Sequence, residues 1–281
     1  MSDFTAADVG KLRETTGAGL MDCKKALVEA KGNFEAAVDL LRKRGSASAA
    51  KKATRETKEG VIAQCILSGA KTGVMVEVNC ETDFVGRNET FRAFCDELAR
   101  KLAGGATIES LETDRVAAVA RIGENIQIPR FVRYEVAGNG IVAAYIHTGA
   151  KVGVLVEVGA GKEATAATEE FKQLVRDITL QIAAGNPSVI SREQVSAEVV
   201  AKEREIATEQ VKNKPPQAIA KIVEGKLDKF YQGICLVDQG FVKRNSEVSV
   251  KEHLGGVAKQ LGDEIVIRRF ARFQVGESPA A

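Results

Sequence analysis

The chain contains an internal duplication, and this repeat constrains its fold more than any other feature. Residues 60–78, GVIAQCILSGAKTGVMVEV, recur at an offset of 80 as residues 140–158, GIVAAYIHTGAKVGVLVEV, with 11 of 19 positions identical. Both copies have alternating apolar positions on each side of a Gly-Ala-Lys-x-Gly turn, a pattern that predicts a β-hairpin. The chain is therefore expected to form the same hairpin twice.

Two further matches extend the repeated unit beyond the hairpin. Residues 89–92 match residues 169–172 at the same offset, at the predicted start of a helix. Residues 123–136, GENIQIPRFVRYEV, match residues 262–275, GDEIVIRRFARFQV, at an offset of 139. Each unit is predicted to contain a hairpin, a helix, a short helix and a strand. This predicts a duplicated α+β core in which each copy has an antiparallel three-stranded sheet and a packed helix.

The two offsets differ by 59 residues, which places a net insertion inside the second copy. We assign repeat 1 to residues 60–139, repeat 2 to residues 140–185 and 234–276, and a tail to residues 277–281. The inserted residues, 186–233, contain two amphipathic segments separated by a Pro-Pro turn, which predicts an antiparallel helical hairpin. Their apolar residues are Val195, Val199, Ile206 and Val211, then Ile219, Ile222, Val223, Leu227 and Phe230. Because this seam is narrow, we expect a homodimer or another partner contact through the hairpin, the alternative being a self-sufficient arm.

The first 45 residues are predicted to form a small three-helix module. Thr5 and Asp8 have the spacing of a capping box, and Gly17–Gly19 separates the first helix from the second. The third helix follows Asn33, and Gly45 is placed as its C-terminal stop. Three short helices bury only a marginal core, so we expect this module to dock on a partner.

Residues 46–59 are small, polar and basic, and are predicted to be a linker. Residues 42–58 contain seven basic residues and one acid, Glu56. This run is interpreted either as a nucleic-acid contact or as a solvated linker or helix face. We favour the second interpretation because the run is short and has no interleaved aromatic residues.

The overall composition argues against several classes of protein. Lys plus Arg number 40 against 38 Asp plus Glu, a balance that argues against direct nucleic-acid binding. No apolar run is long enough to predict a membrane span. The N-terminus has an early acid and no apolar stretch, so secretion is not expected. The five cysteines form no CxxC pair, which is typical of reduced thiols in a cytoplasmic protein.

Catalytic and cofactor motifs are almost absent from the sequence. The two histidines, His147 and His253, lie in different contexts, and no protease, hydrolase or P-loop motif occurs. Gly159–Ala164 fits a dinucleotide-binding pattern, but the preceding strand belongs to a predicted antiparallel hairpin rather than to a parallel βαβ unit. We therefore expect no cofactor, no bound metal and no enzymatic activity.

The two copies diverge abruptly where the hairpin ends. Copy one has the sequence NCETDFVG at residues 79–86. Residues 159–168 of copy two, GAGKEATAAT, consist mainly of small side chains. One interpretation of Thr82–Val85 is a helix cap with a hydrophobic staple. The other is a functional segment, because divergence between equivalent loops indicates that the fold does not dictate these residues.

Three motifs together resemble those of the elongation factor Ts family. They are TTGAGLMDCKKAL at residues 15–27, VNCETDFV at residues 78–85 and IGENI at residues 122–126, and the resemblance spans almost the whole chain in order. It implies an N-terminal module like a ubiquitin-associated domain, a duplicated core and a coiled-coil dimerisation arm. The implied activity is guanine nucleotide exchange on elongation factor Tu, the GTPase that delivers aminoacyl-tRNA, in its GDP-bound and nucleotide-free forms.

The resemblance also implies which residues contact the GTPase. The segment that enters the GTPase and displaces its Mg²⁺ would be Thr82, Asp83, Phe84 and Val85, with Phe84 as the wedge. Further partner contacts would be Leu12, Leu20, Met21, Lys24 and His147. Two other classes stay open: a chaperone-like adaptor that would tolerate loss of Phe84, and an enzyme that uses Cys80 as a nucleophile, which would need a nearby general base.

Overall fold

A computed structural model describes residues 4–277 and has the predicted α+β fold. These residues form eleven α-helices and six strands. The helices are α1 (Ala6–Thr16), α2 (Leu20–Glu29), α3 (Phe34–Lys52), α4 (Asp83–Arg87), α5 (Glu89–Ala103), α6 (Glu112–Ile122), α7 (Glu163–Ala167), α8 (Glu169–Gly185), α9 (Ala197–Val211), α10 (Pro216–Ile234) and α11 (Val250–Leu261). The strands are β1 (Glu59–Ile66), β2 (Thr72–Cys80), β3 (Gln127–Glu135), β4 (Gly140–Ile146), β5 (Val152–Ala160) and β6 (Ile265–Gln274).

The strands form two antiparallel three-stranded sheets, with the orders β1-β2-β3 and β4-β5-β6. Both predicted hairpins are confirmed: β1 pairs with β2, and β4 pairs with β5. Their turns place Gly69 and Gly149 at φ of 81° and 86°, a left-handed conformation that glycine adopts without strain. The repeat is therefore present in the backbone as well as in the sequence.

Elements beyond the hairpins also correspond between the repeats. Helices α4 and α5 have their equivalents in α7 and α8, and α6 and β3 have theirs in α11 and β6. Helices α9 and α10 interrupt only the second repeat. The residue boundaries that we assign to the separate parts stay a prediction, and residues 278–281 of the predicted tail lie outside the described residues.

Each sheet packs a helix on one face and the other sheet on its opposite face. Phe91 of α5 and its equivalent Phe171 of α8 are fully buried in two separate cores. The opposite faces share a third core that includes Met75 of the first sheet and Leu155 of the second. A Cβ on Gly153 would lie only 2.5 Å from Ile62 Cγ2, so glycine is needed there for the sheets to approach.

Two buried carboxylates join the repeats symmetrically. Glu77 and Glu157 occupy equivalent positions, and each side chain is about 1–2% exposed. Glu77 accepts a hydrogen bond from Arg130 Nε at 2.7 Å, and Glu157 accepts one from Arg269 Nε at 2.7 Å. Each guanidinium also donates to a carbonyl of the other repeat, at 3.1 and 2.8 Å. Because each arginine bridges both sheets, the two repeats are held in one orientation.

The lysines of the two hairpin turns make a second reciprocal contact. Lys71 Nζ donates to the Gly140 carbonyl at 3.0 Å, and Lys151 Nζ donates to the Gly60 carbonyl at 2.9 Å. Ile62 N–H also donates to the Ala150 carbonyl at 2.7 Å. The turn of the second hairpin is therefore fixed beside the start of β1, and this contact places it near α4.

The third helix is longer than the sequence predicts. Helix α3 continues to Lys52, so the prediction that Gly45 ends it is wrong. Gly45 is buried, and a Cβ there would lie 3.4 Å from Ala120 Cβ of α6. Ala49 belongs to the core of repeat 1. The first half of the predicted linker is therefore a packed helix, because contact with α6 stabilises residues that have no apolar periodicity of their own.

The insertion forms two antiparallel helices, as predicted, but its seam differs from the expected one. The buried seam residues are Ala207, Val211, Val223 and Leu227. Val199 and Ile206, which we expected to contribute to the seam, are 47% and 41% exposed. Among the described residues, no helix is long and apolar enough to cross a membrane.

Candidate functional site

The segment that distinguishes the first repeat from the second forms a short helix rather than a loop. Thr82 is the N-cap of α4, and its hydroxyl accepts a hydrogen bond from Val85 N–H at 3.4 Å. Asp83 lies in the first turn and pairs with Arg87 at 2.9 Å. Thr at the N-cap and an acid in the first turn are the residues that favour helix initiation. The capping part of the structural interpretation is thus confirmed.

Phe84 makes no hydrophobic staple. It is 80% exposed, the largest exposure among the exposed large hydrophobic residues of the described chain. Val85, by contrast, packs against the core of repeat 1. The staple prediction is wrong because α4 points the Phe84 ring into solvent, so the ring is available to another protein.

The second repeat shows that the fold does not need this ring. Helix α7 has the same length as α4 and the equivalent position, and it carries Ala164 where α4 carries Phe84. Exposing an aromatic side chain leaves its apolar surface in water without any gain in folding stability. The exposure of Phe84 is therefore not a requirement of the fold.

The N-terminus of α4 is held by residues that sequence reasoning did not single out. Glu124, in the turn after α6, accepts hydrogen bonds from the backbone N–H groups of Glu81 and Thr82 at 2.9 and 3.0 Å. Its other oxygen accepts from the Thr82 hydroxyl at 2.6 Å. At the far end of α4, Arg92 Nε donates to the Gly86 carbonyl at 3.1 Å. The sequence feature that could have identified Glu124 is its position in the IGENI motif at residues 122–126.

The turn of the second hairpin lies across a groove from α4. The groove has a volume of about 380 Å³, with Asp83 and Arg87 on one wall and Gly149 and Lys151 on the other. His147 belongs to this same turn, where its carbonyl accepts from Ala150 N–H at 2.8 Å. The His147 ring is exposed, and its Nδ1 lies 2.9 Å from Tyr145 Oη. The helix that carries Phe84 and the turn that carries His147 therefore border the same groove, although the two residues lie 63 apart in the sequence.

The predicted contacts of the N-terminal module separate into two groups. Leu20 and Met21 are 52% and 61% exposed, and Lys24 is also exposed on α2. Val28, which the sequence analysis missed, is 59% exposed one turn beyond Lys24. Leu12, however, is fully buried in the core of the module. Its side chain contacts its own helices, so the structure does not offer it as a surface contact.

Cys80 is poorly suited to nucleophilic catalysis. Burial, together with the nearby negative charge of Glu124, raises the pKa of the Cys80 thiol to about 12. The thiol donates a weak hydrogen bond to the Thr82 carbonyl at 3.2 Å. Because the thiolate is the reactive form, a thiol that stays protonated near neutral pH is a weak nucleophile.

The dinucleotide pattern at Gly159–Ala164 also has a structural explanation. Strand β5, which precedes it, pairs antiparallel with both β4 and β6. Dinucleotide binding of this kind needs a parallel βαβ unit. No group of three or more His, Cys, Asp or Glu side chains that could hold a metal ion occurs within residues 4–277.

Exposed large apolar side chains on α2 and α4, in a chain with no recognised catalytic motif, are typical of the class of proteins that bind other proteins. Comparison with known proteins identifies its family. The sequence model of the family described as Elongation factor TS matches residues 81–277. The chain belongs to the elongation factor Ts family and is a translation elongation factor with a guanine nucleotide exchange function.

Relatives named elongation factor Ts align along nearly the whole chain. The protein from Symbiobacterium thermophilum is 46% identical and aligns over 99% of this chain and 93% of its own length. The proteins from Nautilia profundicola and Nitratidesulfovibrio vulgaris are 44% and 41% identical, each over 99% of this chain and over 94% and 98% of their own lengths.

Proposed function

We propose that this protein binds elongation factor Tu in its GDP-bound form, displaces the Mg²⁺ ion and promotes release of GDP, so that GTP rebinds. The observation that carries this proposal is Phe84, an aromatic ring 80% exposed on a helix that is hydrogen-bonded at both ends. A ring held in this way enters a partner without first losing much conformational freedom. Asp83, in the same turn, brings a negative charge to the metal site.

The chemistry needs no catalytic residue, because no covalent bond forms or breaks. A nucleotide bound with nanomolar affinity has about 12 kcal/mol of binding free energy. The factor lowers this affinity if it binds the nucleotide-free GTPase more tightly than the nucleotide-bound one. By linkage, rebinding of GTP weakens the factor's own affinity by the same ratio. Loss of Mg²⁺ removes the charge that bridges the phosphates and so favours release.

Each contact region has its own part in this proposal. Leu20, Met21 and Lys24 on α2 dock the N-terminal module, with Val28 extending the same helix face. Asp83 and Phe84 enter the GTPase, while Thr82 and Val85 face inward and support them. His147 contacts the partner from the turn of the second hairpin. Several separated contacts suit a large interface, which is what a difference of several kcal/mol between two partner states requires.

Release of a fluorescent GDP from purified elongation factor Tu tests this proposal. We expect Phe84→Ala to slow the promoted release about 30-fold, the loss typical of a buried interface anchor. Val266→Ala is the control, because Val266 is 53% exposed on β6, away from α4, and should change the rate less than about twofold. Equal rates for Phe84→Ala and the wild type would refute the wedge.

Mg²⁺ titration separates displacement of the ion from simple docking. Raising free Mg²⁺ should weaken the action of the factor, because the ion and the factor oppose each other by linkage. A promoted rate that is independent of Mg²⁺ would contradict the displacement step. If the wild type bound the GTPase without any acceleration of release, the adaptor alternative would be favoured.

The inserted hairpin supports a second contact, between two copies of this chain. Val199 and Ile206 lie seven residues apart on α9, so they share one face of the helix. Both are exposed, at 47% and 41%, outside the buried seam. We propose that this face pairs with a second copy.

A further inference from the structure

Helix α4 has only five residues, too few to be stable without support. The first turn of a helix is costly to form, and isolated helices below about 12 residues are marginal in water. The conformation that presents Phe84 must therefore be imposed by groups outside α4. The residue that contacts the N-terminus of α4 most extensively is Glu124.

Both oxygens of the Glu124 carboxylate are used. Oε2 accepts from the N–H groups of Glu81 and Thr82, at 2.9 and 3.0 Å. Oε1 accepts from the Thr82 hydroxyl at 2.6 Å. With its proton directed at Glu124, the Thr82 oxygen has its lone pairs free for Val85 N–H, which donates to it at 3.4 Å. Glu124 thus orients the N-cap that starts the helix.

A reciprocal contact holds Glu124 in place. Glu81 Oε1 accepts from the backbone N–H of Asn125 at 2.6 Å, so each loop contributes a carboxylate to the other's backbone. Asn125 Nδ2 in turn donates to the Arg55 carbonyl at 2.9 Å. Charged hydrogen bonds of this kind are shorter and stronger than neutral ones. The position of α4 is therefore tied to the turn between α6 and β3.

The second repeat provides a comparison. Asp263 is the equivalent of Glu124, and it accepts from Lys162 N–H at 2.9 Å and from Glu264 N–H at 2.9 Å. Lys162 stands where repeat 1 has Thr82, so the hydroxyl contact of the N-cap is missing there. The carboxylate therefore bonds to both backbone N–H groups and to the N-cap hydroxyl in the repeat that carries Phe84.

We propose that Glu124 is a positioning residue for nucleotide exchange: it holds Thr82 and thereby fixes α4 so that Phe84 is already in the conformation that enters the GTPase. This inference rests on the proposed function of Phe84. Glu124 acts through α4 and needs no contact with the partner. Loss of Glu124 is therefore expected to slow the exchange step without weakening docking. The other proposed contacts, on α2 and at His147, lie on elements that Glu124 does not hold.

The experiment measures the promoted rate of fluorescent GDP release against the concentration of the protein. For Glu124→Ala we expect the maximal rate to fall about tenfold, while the concentration giving half the maximal rate changes less than about twofold. Glu124→Gln should recover most of the rate, because its amide oxygen accepts from both N–H groups and its amide nitrogen donates to Thr82. Asp263→Ala is the matched control in repeat 2 and should leave the maximal rate unchanged.

A double-mutant cycle tests whether Glu124 acts through Phe84. In a Phe84→Ala background, Glu124→Ala should slow release by much less than tenfold, since the ring that it positions is absent and Asp83 is the one remaining contact of α4. Independent, multiplicative losses in the double mutant would overturn the proposal. So would a Glu124→Ala variant whose maximal rate equals that of the wild type, or one that changes only the half-maximal concentration.

Thermal unfolding of each variant, followed by circular dichroism, is the accompanying measurement. If Glu124→Ala fails to fold, Thr82→Val removes the same hydroxyl contact from the other side and should reproduce the loss of maximal rate. An unchanged rate in Thr82→Val would then overturn the inference. A normal rate in Phe84→Ala alone would instead contradict the proposed function, so the two failures are distinguishable.

Discussion

Four adjacent residues, Thr82 to Val85, have opposite environments although they lie in one turn. Thr82 is hydrogen-bonded to Glu124, and Val85 packs against the core of repeat 1. Asp83 pairs only with an exposed arginine, and Phe84 projects into solvent. The inward pair fixes the turn, and the outward pair is free to contact a partner. This division follows from the 100° step between successive helical residues.

Thiol chemistry provides a prediction at this scale. Cys65 is half-buried, whereas Cys23, Cys80, Cys95 and Cys235 are buried. Burial also raises the pKa of Cys95 well above its ordinary value. At pH 7.5 we therefore expect a maleimide to label Cys65 in the native protein and to leave Cys80 unmodified, as checked by mass spectrometry of tryptic peptides.

Cys65→Ser is the control and should remove the fast label. Labelling of Cys65 should leave nucleotide exchange intact, because its side chain lies on β1 away from Phe84. Rapid native labelling of Cys80, with loss of activity but retention of partner binding, would instead favour the cysteine enzyme.

At the scale of elements, the contact between α3 and α6 depends on a small residue. Gly45 is buried there, and a Cβ would already approach Ala120 to 3.4 Å. Gly45→Leu should therefore separate the two helices and destabilise the protein by about 1–3 kcal/mol. Hydrogen exchange of the α3 amides, read by mass spectrometry, measures the loss.

Gly10 provides the matched control for this change. It lies inside α1, and a Cβ there would meet no atom within 4 Å. Gly10→Ala should stabilise the module by about 0.5–1 kcal/mol, because alanine loses less backbone entropy in a helix. If the α3 amides of Gly45→Leu exchanged as slowly as those of the wild type, the close approach of α3 and α6 would not contribute to stability.

The inserted hairpin provides a further prediction about an element. Replacing both Val199 and Ile206 by Glu places like charges on the face that we propose to pair, so a dimer should dissociate. The mass in solution, measured by light scattering, should fall from twice 30.0 kDa to the mass of one chain. The helices themselves should persist, since their seam of Ala207 and Leu227 is untouched. A wild-type protein whose mass in solution equals that of one chain would contradict the proposed dimer.

At the scale of the whole molecule, the buried carboxylate of Glu157 makes the contact between the two repeats sensitive to pH. Burial by itself raises the pKa of Glu157, but the hydrogen bonds from Arg268, the Ala137 N–H group and Arg269 outweigh it and leave the pKa below its ordinary value. The stability contributed by this carboxylate is therefore present above the ordinary glutamate pKa. It is lost as the pH falls through the lower pKa of the folded state.

Glu157→Gln tests this dependence. At pH 7 the variant should be less stable than the wild type by about 2–3 kcal/mol in urea unfolding, because it loses charged hydrogen bonds. Below the folded-state pKa the difference should shrink, since the wild-type side chain is then neutral as well. Glu135→Gln, whose side chain is 63% exposed, is the control and should differ by about 0.5 kcal/mol or less at either pH. A pH-independent difference for Glu157→Gln would contradict this account.

Much of the architecture could be predicted from the sequence. The offsets of 80 and 139 predict two equivalent α+β units, and the Gly-Ala-Lys-x-Gly turns place both hairpins. The Pro-Pro turn and the flanking apolar residues predict the two inserted helices. These features are local, because turn chemistry and side-chain periodicity depend on residues near each other in the chain.

The tertiary structure determines which face of each helix and strand is buried. Leu12 is buried, although the family resemblance implied a partner contact, and Val199 is exposed, although the apolar pattern of the insertion placed it in the seam. Gly45 continues a helix because α6 packs on it, and Phe84 stays in solvent because Glu124 holds its turn. Each outcome depends on residues far away in the chain. Local periodicity gives the identity of an element but not its neighbours, so only the folded chain shows which side chains are free to reach a partner.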